Sequence, residues 1–167
     1  ADIAISGSVN SYGLINIDSG NNLNLNAKDI TLNYDATTLN SAALIIGAQD
    51  NLNLATGTKI NNLSTNGDLY VDAKGISLAA NSELRSNRGS ANINANESLL
   101  SNSTARLIAA KDLNLTANKD LKLIGNTLQA TSGSINVQSA EEAHLLQVDG
   151  GTLYAGKDLN IYGSGDV

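Results

Sequence analysis

The stretch Ala110-Lys111-Asp112-Leu113-Asn114-Leu115-Thr116-Ala117 carries the reading of the whole chain. From Leu113 onward apolar and polar residues alternate, which puts one side of a short strand in a core and the other in water. The Ala-Lys-Asp before it is a polar corner. The same corner and strand return as Ala155-Gly156-Lys157-Asp158-Leu159-Asn160-Ile161 and within Leu23-Asn24-Leu25-Asn26-Ala27-Lys28-Asp29-Ile30-Thr31-Leu32. Further strand-length alternations lie at Leu52-Asn53-Leu54, Leu69-Tyr70-Val71-Asp72, Ile76-Ser77-Leu78, Leu121-Lys122-Leu123-Ile124 and Ile135-Asn136-Val137-Gln138. Nowhere does a helical apolar period persist over the roughly 10 residues that a helix needs.

The Asp or Gly that closes successive corners, at positions 29, 50, 68, 89, 112, 133 and 158, recurs at spacings of 21, 18, 21, 23, 21 and 25. A mean of 21.5 residues holds about three short strands and is the period of a solenoid. One corner formula reused every period argues against an antiparallel meander, whose hairpins carry their own turn signatures. The expected fold is all-β: a right-handed parallel β-helix, or β-solenoid, of about three strands and 21–22 residues per coil and roughly eight coils. Asn24, Asn53, Asn114 and Asn160 hold the same place in Leu-Asn-Leu or Leu-Asn-Ile units and are expected to stack as one outward amide ladder. Residues 83–107, which contain every arginine, and 140–146 break the regularity; 98–105 reads as a longer corner loop or a slipped coil.

Composition agrees. The 167 residues include 24 Asn and 24 Leu, more than a quarter of the chain, and no Pro, Cys, Met, Trp or Phe. Proline lacks the N–H that a central strand must donate, and a narrow interior has no room for many large rings. Without Cys and with a single His, disulfides, thiol chemistry, Cys-based zinc and multi-histidine metal sites are excluded. A net charge of -6 opposes nucleic acid and anionic membrane surfaces as partners. No apolar run approaches the roughly 18 residues of a membrane span, so no membrane insertion by this segment is expected. The N-terminus has neither Met nor a signal core, so residues 1–167 read as a single β-helical repeat segment excised from a longer polypeptide. It is expected to be monomeric, with end-to-end self-association through its open end coils.

The units at 110–117, 155–161 and 23–32 resemble the repeats of the filamentous haemagglutinin family, the large exoproteins of Gram-negative two-partner secretion systems, which include contact-dependent growth inhibition toxins. The resemblance covers essentially the whole chain. It implies secretion to the bacterial cell surface through an outer-membrane two-partner transporter, and a role as the structural shaft of a filament that presents adhesive or toxic activity to a target cell. A receptor- or carbohydrate-binding adhesin module within the same filament is the alternative it implies. The asparagine-proline motifs of the family's secretion domain are absent from this proline-free chain, as is a compact non-repetitive toxin domain; the expectation is an internal segment of the shaft.

The residues give chemistry little to work with. Asp29, Asp50, Asp68, Asp112, Asp120 and Asp158 recur at repeat spacing as turn formers do, and neither Asp68 with Asp72 nor Glu141 and Glu142 near His144 makes a distinctive acid pair. The chain therefore reads as non-enzymatic, with no cofactor and no metal. Gly163-Ser164-Gly165-Asp166 occurs once, where a calcium-binding solenoid would repeat such a motif in tandem. Candidate receptor-contact residues, for a protein or glycan on a target cell, are the tyrosines Tyr70, Tyr154 and Tyr162 and the arginines Arg85, Arg88 and Arg106. Tyr70 in Leu-Tyr-Val is expected to point outward.

Overall fold

The computed structural model describes residues 1–101, 104–139 and 145–163, and in these the chain forms 19 strands. Every strand pairing is parallel, and each strand pairs with strands about one coil away in sequence. The molecule is a parallel β-solenoid with three faces. Face A stacks Ile15–Ser19, the first part of Leu44–Leu54, the first part of Leu69–Leu78, Ala91–Ala95, Leu113–Ala117, Ile135–Ser139 and Leu159–Tyr162. Face B stacks Ile3–Ile5, Leu23–Leu25, the second parts of the same two long strands, Leu99–Ser101, Leu121–Ile124 and Leu146–Asp149. Face C, from Val9–Ser11 to Thr152–Ala155, is a separate 7-stranded sheet. Because Leu44–Leu54 and Leu69–Leu78 run unbroken around a corner, faces A and B join into one 12-stranded sheet.

Inward side chains form columns. On face C the column reads Val9, Ile30, Ile60, Leu84, Leu107, Leu128, Leu153. On face A the middle column is Ile17, Ile46, Val71, Ile93, Leu115, Val137, Ile161, and the column next to the corner is Ser19, Ala48, Ala73, Ala95, Ala117, Ser139. Small residues collect where two faces converge, because the space there does not admit a branched side chain. Each fully buried Leu or Ile contributes about 1.5–3 kcal/mol.

The seven segments per face among the described residues compare with the roughly eight that a 21.5-residue period allows. On face A the pairing spacing is 22 residues from Tyr70 through Asn136 and 24 between Asn136 and Asn160, whereas on face B it is 29 between Asn24 and Asn53. The early excess lies in 33–43, a loop between faces C and A. There Asp35 accepts hydrogen bonds from the Thr38 hydroxyl and the Thr37 N–H, which hold its carboxyl below the usual range. Asn40 ties the loop down, donating to the Tyr12 and Asn33 carbonyls. A smaller excess is a bulge in which Gln49-Asp50 oppose Lys74 alone.

Two expectations are corrected. The corner alignment mixed different corners: Asp29 opens a face C strand and Asp50 sits in the bulge between faces A and B, whereas 68, 89, 112, 133 and 158 share the corner from C to A. Residues 83–107 are not irregular where described: Glu83–Ser86 pairs with Arg106–Ala109, and Leu99–Ser101 stands in register with Ile76, Ser77 and Leu78. Asn102 and Ser103 lie outside the described residues, as do 140–144, including Glu141, Glu142 and His144, and 164–167. One asparagine also lies inside the stack. Asn62 is fully buried, donating to the Ala42 and Asp68 carbonyls and accepting from the Ser64 N–H and hydroxyl.

Corners repeat as the columns do. At the corner from B to C, Gly57, Asn81, Gly125 and Gly150 take the left-handed conformation, which Gly and Asn reach at least cost. At the corner from C to A, Asp68, Ser90, Asp112, Ser134 and Asp158 stack in alternation. The N–H of Ser90 donates to Asp68 at 2.7 Å and that of Ser134 to Asp112 at 2.8 Å. Hydroxyls thus separate carboxylates that would otherwise repel at neighbouring coils.

Candidate functional site

The outer surface carries side-chain ladders. On face A, Asn114 donates to Asn92 Oδ1, Asn136 to Asn114 Oδ1 and Asn160 to Asn136 Oδ1, each at 2.8 Å. Asn24 and Asn53 belong to face B, where Asn53 donates to Asn24 at 2.9 Å. The expected single ladder is therefore two, since Leu-Asn-Leu fits either face and nothing inside the triplet selects one.

The face A ladder stops at Tyr70. Tyr70 stands beside Asn92 in register, and the column continues to Ile45 and Asn16. The neighbouring outward column runs Asp18, Gly47, Asp72, Asn94. Here the surface dips into an open hollow of about 480 Å³, lined by Asn16, Asp18, Ile45, Ile46, Gly47, Ala48, Gln49, Tyr70, Asp72 and Asn96. Asp72 is fixed by two amides, Asn94 donating to Oδ2 at 2.9 Å and Asn96 to Oδ1 at 3.2 Å. Tyr70 is 43% exposed and donates its hydroxyl to Asp68 at 3.2 Å. Partial burial, with the Asp68 carboxylate adding to it, raises the phenol above its usual range.

The six candidate contact residues do not form one surface. Arg85 and Arg106 lie on face C and converge on Glu83, with Arg85 Nε 2.8 Å and Arg106 Nη1 3.0 Å from its carboxylate oxygens. Arg88 stacks on the Tyr34 ring, 4.2 Å from its centre, and so holds the 33–43 loop against a corner further along the axis. Tyr154 is on face C beside Gln129. Tyr162 is on face A but beside Gln138, four strands further along the face than Tyr70. Of the six, Tyr70 is the one that lines the hollow on face A. Gly47, Ile45 and Asp18 escape sequence reading because their meeting depends on the 25- and 29-residue coils, which the mean period conceals.

A charge ladder marks the corner between faces A and B, where Glu97 lies 3.9 Å from Lys74 and 2.9 Å from Lys119. The hydrogen bond from Lys119 holds the Glu97 carboxyl below the usual glutamate range, helped by the charges of both lysines. Among the described residues no three His, Cys, Asp or Glu are grouped so as to hold a metal ion, and no helix is long and apolar enough to cross a membrane.

Residues 10–141 match the profile of a family described as hemagglutinin repeat. The chain belongs to that family. No curated protein and no solved structure matches it significantly. As a hemagglutinin repeat it is a filamentous-haemagglutinin-like, structural β-solenoid domain of the kind typical of secreted adhesin and filament proteins. The match spans the outward face A column from Asn16 to Asn136, so the stacked columns are the physical content of the repeat.

Proposed function

We propose that this segment is the structural shaft of a secreted bacterial surface filament, extending and presenting an adhesive or toxic activity towards a target cell. The observation that carries this reading is the constant 22-residue register of face A from Tyr70 to Asn136, along which the backbone pairing, the amide ladder and the adjoining corner advance coil by coil. Such a stack resists bending because every coil is bonded to the next on three faces. The family supports export of the parent chain through an outer-membrane transporter and a cell-surface location.

Duplicating residues 91–112 tests the shaft. Small-angle scattering should show a rod longer by about 4.8 Å per added coil, with unchanged circular dichroism and, in the parent filament, unchanged target-cell attachment. Loss of attachment on lengthening, or no gain in length, refutes it. The second reading, an adhesive module within the same filament, is favoured by one feature, the hollow at Tyr70.

A further inference from the structure

Charge alternates from coil to coil in three separate columns. On face C, Asp29, Lys59, Glu83 and Arg106 stand in register, one in each successive coil, and the series ends at the neutral Thr127. At the corner between faces A and B, the bulge places Asp50 opposite Lys74, and Glu97 and Lys119 follow. At the corner from C to A, Asp68, Ser90, Asp112, Ser134 and Asp158 alternate a carboxylate with a hydroxyl. The three columns keep one phase. The coil that carries Asp68 also carries Lys74 and Glu83, and the next carries Ser90, Glu97 and Arg106, so each coil presents the reverse of its neighbour. The bonds run across this boundary. Glu97 is 3.9 Å from Lys74 and 2.9 Å from Lys119, Glu83 is 3.0 Å from Arg106, and the Ser90 N–H donates to Asp68 at 2.7 Å.

We propose that these columns form a parity code for coil recognition: the edge of a coil accepts a coil of the opposite kind and rejects a copy of itself, so the stacking unit is two coils rather than one. The backbone makes no such distinction, because the same parallel pairing serves every coil. Side chains supply it. On strands about 4.8 Å apart, opposite charges attract and like charges repel, each pair contributing modestly where it is half exposed. Three columns in phase add their effects at one boundary. A coil stacked on its own copy would set Asp112 against Asp112, Glu97 against Glu97 and Arg106 against Arg106. The same mismatch meets two copies of the chain that stack identical coils in register, the pairing on which cross-β aggregation depends. Selection therefore comes from repulsion in the wrong arrangement as much as from attraction in the right one. The face A amide ladder carries no parity, since Asn92, Asn114 and Asn136 are alike. The proposal is independent of the shaft reading, because the shaft test measures length and this one measures stability and its dependence on salt.

The test compares two insertions in the 167-residue chain. Duplicating residues 91–112 adds one coil and creates the three like-charge contacts, whereas duplicating 91–134 adds two coils and keeps every alternation. A further compatible coil adds a nearest-neighbour interface, so the two-coil chain should have a urea midpoint at or above that of the parent. The one-coil chain should fall below the parent by about 0.3–1 M urea. In about 1 M NaCl, where the screening length is roughly 3 Å, most of that deficit relative to the parent in the same salt should vanish. Glu97→Gln, Arg106→Thr and Asp112→Ser, made together in the second copy of the coil alone, should remove it at low salt. If the one-coil chain does not fold, folding of its neutralised form supports the code, and failure of that form beside a folded two-coil chain overturns it. The code is also overturned by a one-coil midpoint at or above that of the parent, by a deficit that either salt or neutralisation leaves in place, or by a two-coil chain less stable than the parent.

Discussion

Asn136 donates its side-chain N–H to Asn114 Oδ1 at 2.8 Å, although the two residues are 22 apart in sequence. Asn114 in turn donates to Asn92, so its loss breaks two bonds. Both neighbours are half-buried, and water takes over part of what is lost. Asn114→Ala should therefore cost about 1–2 kcal/mol, and Asn160→Ala, which breaks only its bond to Asn136, about half of that. Urea midpoints of the two variants give the comparison, and equal losses would mean that the ladder is decorative.

Glu83 is the acceptor for two arginines and is itself largely buried, its side chain 11% exposed. Glu83→Ala leaves the half-buried Arg85 guanidinium without its carboxylate, and should cost about 1–3 kcal/mol. Arg106 is half exposed, so Arg106→Ala should cost less, within about 1 kcal/mol. A double-mutant cycle on Glu83 with each arginine should give the larger coupling for Arg85.

Two glycines should respond differently to alanine. At Gly89 a new Cβ would fall on the Gly67 carbonyl oxygen, and the backbone must move; the expected loss exceeds about 2 kcal/mol. At Gly57 the space is open and only the left-handed conformation is penalised, about 1–2 kcal/mol. Thermal denaturation of the two variants measures the difference.

Glu97 supplies a pH dependence of known sign. Its carboxyl is held low chiefly by the hydrogen bond from Lys119, so its contribution is present above the unfolded-state value and fades as pH falls through the lower folded-state value. A side-chain carboxyl titration followed by NMR should give a midpoint below that of an ordinary glutamate. Lys119→Gln should move the midpoint up, and Lys74→Gln should move it less, as expected for a partner at 3.9 Å rather than 2.9 Å.

Arg88 clasps Tyr34 from a later corner. Arg88→Ala should speed hydrogen exchange and proteolysis within 33–43 while lowering global stability by no more than about 1 kcal/mol. A uniform rise in exchange across all three faces would show instead that the loop is integral to the stack.

The alternation in Leu113-Asn114-Leu115 was sufficient to reveal strands, the inward Leu and Ile, and a stack of coils. What it did not reveal is which face a triplet joins. Leu23-Asn24-Leu25 and Leu113-Asn114-Leu115 have the same pattern yet lie on faces B and A, because the assignment depends on the number of residues spent at each corner. Asn62 illustrates a second limit. It sits at an inward position beside Leu32 and Ser86, and only the carbonyls of Ala42 and Asp68, brought there by the coil, make an amide acceptable inside. The hollow at Gly47 was hidden for the same reason, since its walls come from four coils of unequal length.

The parallel pairing has a mechanical consequence. The chain winds around the axis while its interstrand bonds run along it, so a pull on a free end loads those bonds a few at a time rather than together. The stack is stiff when flexed as a whole but unzips from a terminus, releasing about 22 residues with each step. Run in reverse, the same geometry lets each arriving turn dock on the last, so assembly needs only the preceding coil as its template.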